Sequence, residues 1–123
     1  MIADLAIHHL EPDITLAVLS GRLTLGNRLT EVEHAIKDCI EKGARKLALD
    51  LTSLTFMDSA GLGMVMLCAG KVRELGGRMT IVGAQGHVKK VLELTQIHQV
   101  IPMVPDRAGL SAAFEAAPAP PSV

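Results

Sequence analysis

The residues of this 123-residue chain best placed to do chemistry form one short run, Phe56-Met57-Asp58-Ser59-Ala60-Gly61-Leu62-Gly63-Met64. It follows an apolar stretch of strand length, Lys46 to Leu51, and opens a helical apolar pattern. In an open α/β sheet that junction is where functional loops collect. Ser59 has no histidine base near it in sequence and no identifiable triad, which argues against a hydrolytic nucleophile. As a phosphoacceptor it is well placed, because a phosphate at a helix N-terminus meets free N–H groups and the positive end of the dipole. Asp58 repels such a phosphate, and helix-end effects are only about 0.3–1 kcal/mol. The two nearly cancel, so phosphorylation should leave the fold intact. Docking is different. A phosphate adds about 1.5–2 negative charges to an apolar contact, and a loss of about 3 kcal/mol weakens binding more than a hundredfold.

Asp58 or Ser59 can cap the helix. Gly61 and Gly63 fall in its first turn, where each glycine costs about 0.8–1.0 kcal/mol relative to alanine. Either a close neighbouring element or a partner approaching the backbone must offset that cost. At about 100° per residue, Leu62, Val65, Met66, Ala69 and Val72 share a core-facing stripe, and Ala60, Met64, Leu67 and Lys71 point away from it. Met64 and Leu67 would then form an apolar docking patch beside the glycines, unless a helix or loop covers them.

The rest of the chain offers little chemistry. It has no GxSxG elbow, P-loop, GxGxxG or HExxH, so neither an enzyme nor a cofactor site is indicated. His8, His9, His34, His87 and His98 are scattered without ligand spacing, and each reads as a surface or satisfied-core histidine. Cys39 and Cys68 form no CxxC, so no metal site is expected, and they read as buried thiols in a reduced compartment. Twelve Lys and Arg against thirteen Asp and Glu give a formal charge of -1, which argues against nucleic acid and against a polybasic membrane patch. With no Trp, no Tyr and two Phe, stacking on bases or sugars has almost no material. The longest apolar stretch, 61–70, is too short to cross a bilayer. No signal-like segment opens the chain, so a cytoplasmic protein with no membrane insertion is expected.

Several elements must position Ser59. Ile2–Leu10 and Ile14–Leu19 read as a strand hairpin around Glu11-Pro12-Asp13. Leu29, Val32, Ile36, Cys39 and Ile40 mark a helix capped by Asn27 or Thr30 and stopped at Gly43. Lys46–Leu51 is a buried strand, and Thr52 to Asp58 a connection. The central helix ends at Gly76-Gly77, and Arg78–Val82 is a strand. A helix opened by Gln85-Gly86-His87, a short strand over Val100–Val104 and a last helix capped by Asp106 complete the domain. The expectation is an α/β domain spanning 1–117, a mixed β-sheet of four to five strands flanked by about four helices on both faces. A disordered Pro-rich tail is expected over 118–123.

Ser20-Gly21-Arg22-Leu23, Leu47-Ala48-Leu49-Asp50-Leu51 and Phe56 to Gly63 together resemble the bacterial STAS-domain anti-sigma factor antagonists. Gly76-Gly77-Arg78 and Val91-Leu92-Glu93-Leu94-Thr95 also fit, and the resemblance runs from about Ile14 to Ala117. It implies a non-catalytic domain that needs no cofactor. It also implies a serine, here Ser59, that is phosphorylated by an anti-sigma factor acting as a serine protein kinase and restored by a serine phosphatase. The unphosphorylated form would bind the anti-sigma factor and free the sigma factor for transcription, a partner switch. Thr24 stands where many members carry an acidic residue on the partner-facing surface. The partner-binding residues expected here are therefore Thr24, Asp58, Ser59, Ala60, Gly61, Gly63, Met64 and Leu67. Two other readings remain open: a STAS subunit of a lipid-transport complex or stress-signalling scaffold, and a nucleotide-binding module using the helix start as an anion site.

Overall fold

The structure, a computed structural model, describes residues 3–116. The tail expected over 118–123 lies outside them, as does Ala117. Strands β1 (Asp4–Leu10) and β2 (Ile14–Leu23) form the expected antiparallel hairpin, with Leu10 opposite Ile14. There follow α1 (Leu29–Glu41), β3 (Lys46–Met57), α2 (Ser59–Glu74), β4 (Arg78–Val82), α3 (Gly86–Leu94), β5 (Met103–Val104) and α4 (Leu110–Ala116). Short 3-10 turns precede β5 and α4. The fold is α/β, a five-stranded mixed sheet in the order β1-β2-β3-β4-β5 with four α-helices.

Chain direction explains the layers. From β2 onward each strand adds in parallel on the same side of the last. Right-handed crossovers repeated in one direction place their helices on one face. That face carries α1, α2 and α3 over Ala17, Leu19, Leu47, Leu49, Leu51, Met79 and Ile81. Only α4 returns over the other face, where Leu110 and Phe114 pack with Ile14, Leu16, Ala48 and Val82. Both faces are covered, as expected, but unequally.

Several boundaries differ from the sequence expectation: β2 runs to Leu23 rather than Leu19, β5 is only Met103–Val104, and Asp106 precedes a 3-10 turn without a side-chain cap instead of capping the last helix, which begins at Leu110. Helix α1 is preceded neither by a capping Asn27 nor by Thr30 but by Arg28, in the left-handed region at φ 62. Its guanidinium pairs with Glu31 at 2.8 Å and donates to the Ala3 carbonyl at 3.3 Å, tying the turn to the start of β1. Strand β3 runs on to Met57 rather than ending at Leu51. Beyond Asp50, paired with Val82 of β4, its partner is β2 alone, through Ser20↔Ser53, Gly21↔Leu54, Arg22↔Phe56 and Leu23↔Met57. This two-stranded extension, bent by register shifts, carries the start of α2 past the rest of the sheet.

Asp50 anchors the α4 side. Its carboxylate, almost fully buried, accepts the Thr52 N–H and the Arg107 Nε–H, both at 2.9 Å. Burial pushes its pKa up, but the Thr52 hydroxyl and N–H and the Arg107 guanidinium outweigh this and hold it below the ordinary 3.8. A folded pKa below the unfolded one stabilises the protein above the unfolded value, and that contribution is lost as pH falls through the folded one. Urea unfolding between pH 7 and 3 should therefore show a shallower acid loss for Asp50→Asn than for the wild type, whereas parallel curves would assign the acid sensitivity elsewhere.

Candidate functional site

The site is built at the junction of β2, β3 and α2. Asp58 caps α2: Oδ1 accepts the Gly61 N–H at 2.8 Å and Oδ2 accepts the Leu25 N–H at 3.0 Å. One carboxylate thus holds both the helix start and the loop after β2. The Gly61 and then the Leu25 hydrogen bonds keep Asp58 below its ordinary carboxyl pKa. Asp58→Ala should cost about 1–2 kcal/mol, the range for losing an N-cap. It should also speed amide exchange at Leu25, and unchanged protection there would contradict the bridging role.

The two glycines have separate reasons. A Cβ on Gly61 would overlap the Leu23 carbonyl oxygen, so Gly61 lets the end of β2 pass against the helix backbone. Around Gly63 no heavy atom lies within 4 Å of where a Cβ would stand. Internal packing accounts for Gly61, and open space is left at Gly63.

The expected outer face needs correction. The buried stripe of α2 is Gly61, Met64, Val65, Cys68 and Val72, at i, i+3, i+4, i+7 and i+11. Met64 is 1% exposed, with the Cys68 thiol 3.7 Å from its sulfur, and so is removed from the surface. Gly61 is buried as well, and Ala60 is half-buried against the core. Met66, expected inside, is 50% exposed. Leu67 is 59% exposed, as its position on the helix suggested, and Ser59 is exposed. Thr24 and Asp58 are half-buried beside it. Leu25, in the loop that Asp58 holds, is 78% exposed and had no sequence signal. Cys39 is half-buried rather than buried. Both cysteines are free, and burial pushes Cys68 to about 11.

A further cluster forms from residues far apart in sequence. Because β4 stops opposite Asp50, the later carbonyls of β3 need other donors. Side chains from the start of α3 supply them: the Gln85 amide donates to the Thr52 carbonyl at 2.9 Å and His87 Nε2–H to the Met57 carbonyl at 3.3 Å. The His87 ring stacks on Phe56 with centroids 4.5 Å apart and planes 4° from parallel, while the Arg22 guanidinium carbon stands 4.3 Å from the Phe56 centroid. His8, His9, His34 and His98 are exposed and lie outside this cluster.

The STAS domain family matches residues 10–109, most of the chain and the whole of this site. The chain belongs to the STAS domain family. This STAS domain is 30% identical over 102 residues to BtrV of Bordetella bronchiseptica, named as an anti-sigma factor antagonist, covering 83% of this chain and 87% of BtrV. The crystal structure of an anti-sigma factor antagonist from Mycobacterium paratuberculosis superposes with a TM-score of 0.82 at 18% identity, covering 92% of this chain and 94% of that one. The unphosphorylated form of the anti-sigma factor antagonist SpoIIAA superposes at 0.77 and 18% identity, covering 94% and 99%. At these identities the two superpositions establish a shared fold. No helix among the described residues of the STAS domain is long and apolar enough to cross a membrane.

Proposed function

We propose that this STAS domain is a cytoplasmic, non-enzymatic antagonist of an anti-sigma factor that is itself a serine kinase, and that phosphorylation of Ser59 switches it off. The observation that carries this reading is Ser59 itself, exposed at the first turn of α2 beside the loop of Leu25 that Asp58 holds, on a helix whose later turns leave Gly63 open and expose Met66 and Leu67. Thr24, Asp58 and Ala60 complete the contact face. The likeness to BtrV supports the partner class, and the existence of SpoIIAA in phosphorylated and unphosphorylated forms supports the switch.

The physical argument is one of placement. Asp58 performs the capping, so the Ser59 hydroxyl takes no hydrogen bond among the described residues. In the transfer, Ser59 Oγ bonds to the γ-phosphorus of kinase-bound ATP, the bond to the departing ADP breaks, and the hydroxyl proton passes to a base of the kinase. A serine phosphatase reverses the state by hydrolysis. The test uses the purified anti-sigma kinase of the same organism. It should form a complex with this chain by size-exclusion chromatography. With MgATP it should place one phosphate, mapped by mass spectrometry to Ser59 and absent from Ser59→Ala. No complex, or a phosphate at another residue, would refute the proposal.

A further inference from the structure

We propose that β1 pairs with β1 of a second copy of this chain, antiparallel and centred on Ala6, so that two five-stranded sheets become one. The contact uses none of the residues assigned above to the Ser59 face and goes beyond the functional reading.

The two edges of the sheet are built differently. At one, β5 is two residues long and offers an incoming strand little to pair with. At the other, β1 keeps seven residues in unbroken register with β2, and it holds no bulge, Lys or Pro of the kind that keeps edges apart. Backbone groups of successive residues alternate between the two sides of a strand. The Leu5 N–H is given to Asp4 Oδ1 at 2.9 Å, and the Ala3 carbonyl, on the same side, accepts Arg28 at 3.3 Å. Both therefore lie on the outer side of β1, and by alternation so do the N–H and carbonyl of Ile7. The side chains of Leu5 and Ile7 are only half-buried against the core.

The residues of β1 select a copy of the same strand as the occupant. With Ala6 on the two-fold axis, Leu5 stands opposite the partner's Ile7 and exchanges both backbone hydrogen bonds with it. The Leu5 N–H then passes from the Asp4 carboxylate to a carbonyl, which frees that carboxylate. Asp4 falls opposite the partner's His8, and Ala6 opposite the partner's Ala6. These are the non-hydrogen-bonded positions, where Cα atoms are about 4.5 Å apart and side chains approach most closely. There the exposed carboxylate accepts an imidazole N–H, symmetry supplies the pair twice, and the small Ala6 leaves room at the axis. A centre at Leu5 would set Asp4 against Ala6, and one at Ile7 would set it against Leu10, so the match belongs to Ala6 alone. His8 makes no hydrogen bond or ion pair among the described residues. Arg28, the cation near Asp4, is already held by Glu31 and the Ala3 carbonyl. On the face that carries α1, Leu5 and Ile7 of the two copies meet and extend the apolar floor.

Analytical ultracentrifugation of the full chain across a concentration range should show a monomer–dimer equilibrium. Asp4→Lys should raise its dissociation constant about tenfold, and Asp4→Lys combined with His8→Glu, which reverses the pair, should return it to within about threefold of the unaltered chain. Hydrogen exchange locates the contact: the Ile7 amide should exchange about tenfold more slowly in concentrated than in dilute protein. A chain that stays monomeric up to about 1 mM would overturn the proposal and leave the edge to some other strand. So would a dimer whose Ile7 amide exchanges at the monomer rate, since the copies would then meet elsewhere. Equal constants for Asp4→Lys and the unaltered chain, or a double variant as weak as Asp4→Lys, would overturn the register. Should Asp4→Lys not fold, the Ile7 amide of the unaltered chain decides alone. Ser59→Ala should leave all these readings unchanged, so the pairing stands or falls separately from the phosphorylation switch.

Discussion

Gly61→Ala should destabilise the domain by about 2–3 kcal/mol, the upper range for inserting a methyl group where none fits. The added Cβ would overlap the Leu23 carbonyl oxygen and press on the Leu23 side chain. Neither neighbour yields easily: Leu23 is buried, and that same carbonyl accepts the Asp58 N–H that leads into α2. Relief would require separating β2 from the helix, which would break the Asp58 to Leu25 tie as well. Gly63→Ala offers an internal contrast. Its Cβ meets open space, so the helix gains up to about 1 kcal/mol from the better helix former. Urea midpoints should move in opposite directions for these two variants, two residues apart. A Gly61→Ala midpoint equal to the wild type would mean that the close approach to Leu23 relaxes without cost. In the functional reading Gly63→Ala should stabilise the free domain yet weaken its complex, because the methyl occupies space the partner needs.

In the functional reading, phosphoserine at position 59 should weaken the complex with the anti-sigma kinase more than a hundredfold while leaving the unfolding free energy within about 0.5 kcal/mol. The second half follows from local balance: the α2 dipole favours the phosphate by about 0.3–1 kcal/mol, and Asp58 opposes it. The first half follows from the apolar groups exposed along α2 and on the loop after β2. Leu25, Met66 and Leu67 are exposed apolar groups, and a partner seated on them would enclose about 1.5–2 negative charges with few donors of its own. A penalty of about 3 kcal/mol corresponds to the stated factor, since about 1.4 kcal/mol is tenfold. Titration calorimetry with the phosphorylated and unphosphorylated proteins measures it. Equal dissociation constants would dismiss the switch, and a large fall in stability would dismiss the local balance.

Strands and helices with a clean apolar period were legible from the chain itself. Arg78–Val82 was expected to the residue, and the hairpin, the hydrophobic spine of α1 and the start of α3 at Gly86 all followed from pattern and punctuation. The end of β3 was not. Thr52, Ser53 and Thr55 are exposed because β4 no longer covers that edge, so the segment looks like a connection although it pairs with β2. The orientation of α2 was misplaced for a related reason. Gly61 lies on its buried stripe but contributes no hydrophobicity, so the apolar pattern pulled Met66 inward and Met64 outward. Ser59 and Asp58 stood out because helix starts have local chemistry. Arg22, Phe56 and His87 meet only through tertiary structure, and no spacing within the chain announces them.

The division of labour between Asp58 and Ser59 bears on how such a domain changes over generations. The aspartate caps the helix, and the serine beside it makes no side-chain hydrogen bond among the described residues. In the functional reading, a single codon change at position 59 would therefore abolish regulation while leaving a correctly folded binder that is permanently engaged. Loss of control in a descendant would come without the instability that usually exposes a damaged gene product to proteolysis. Duplicated copies could diverge into a regulated and a constitutive version by that one step, with the scaffold indifferent to which is which.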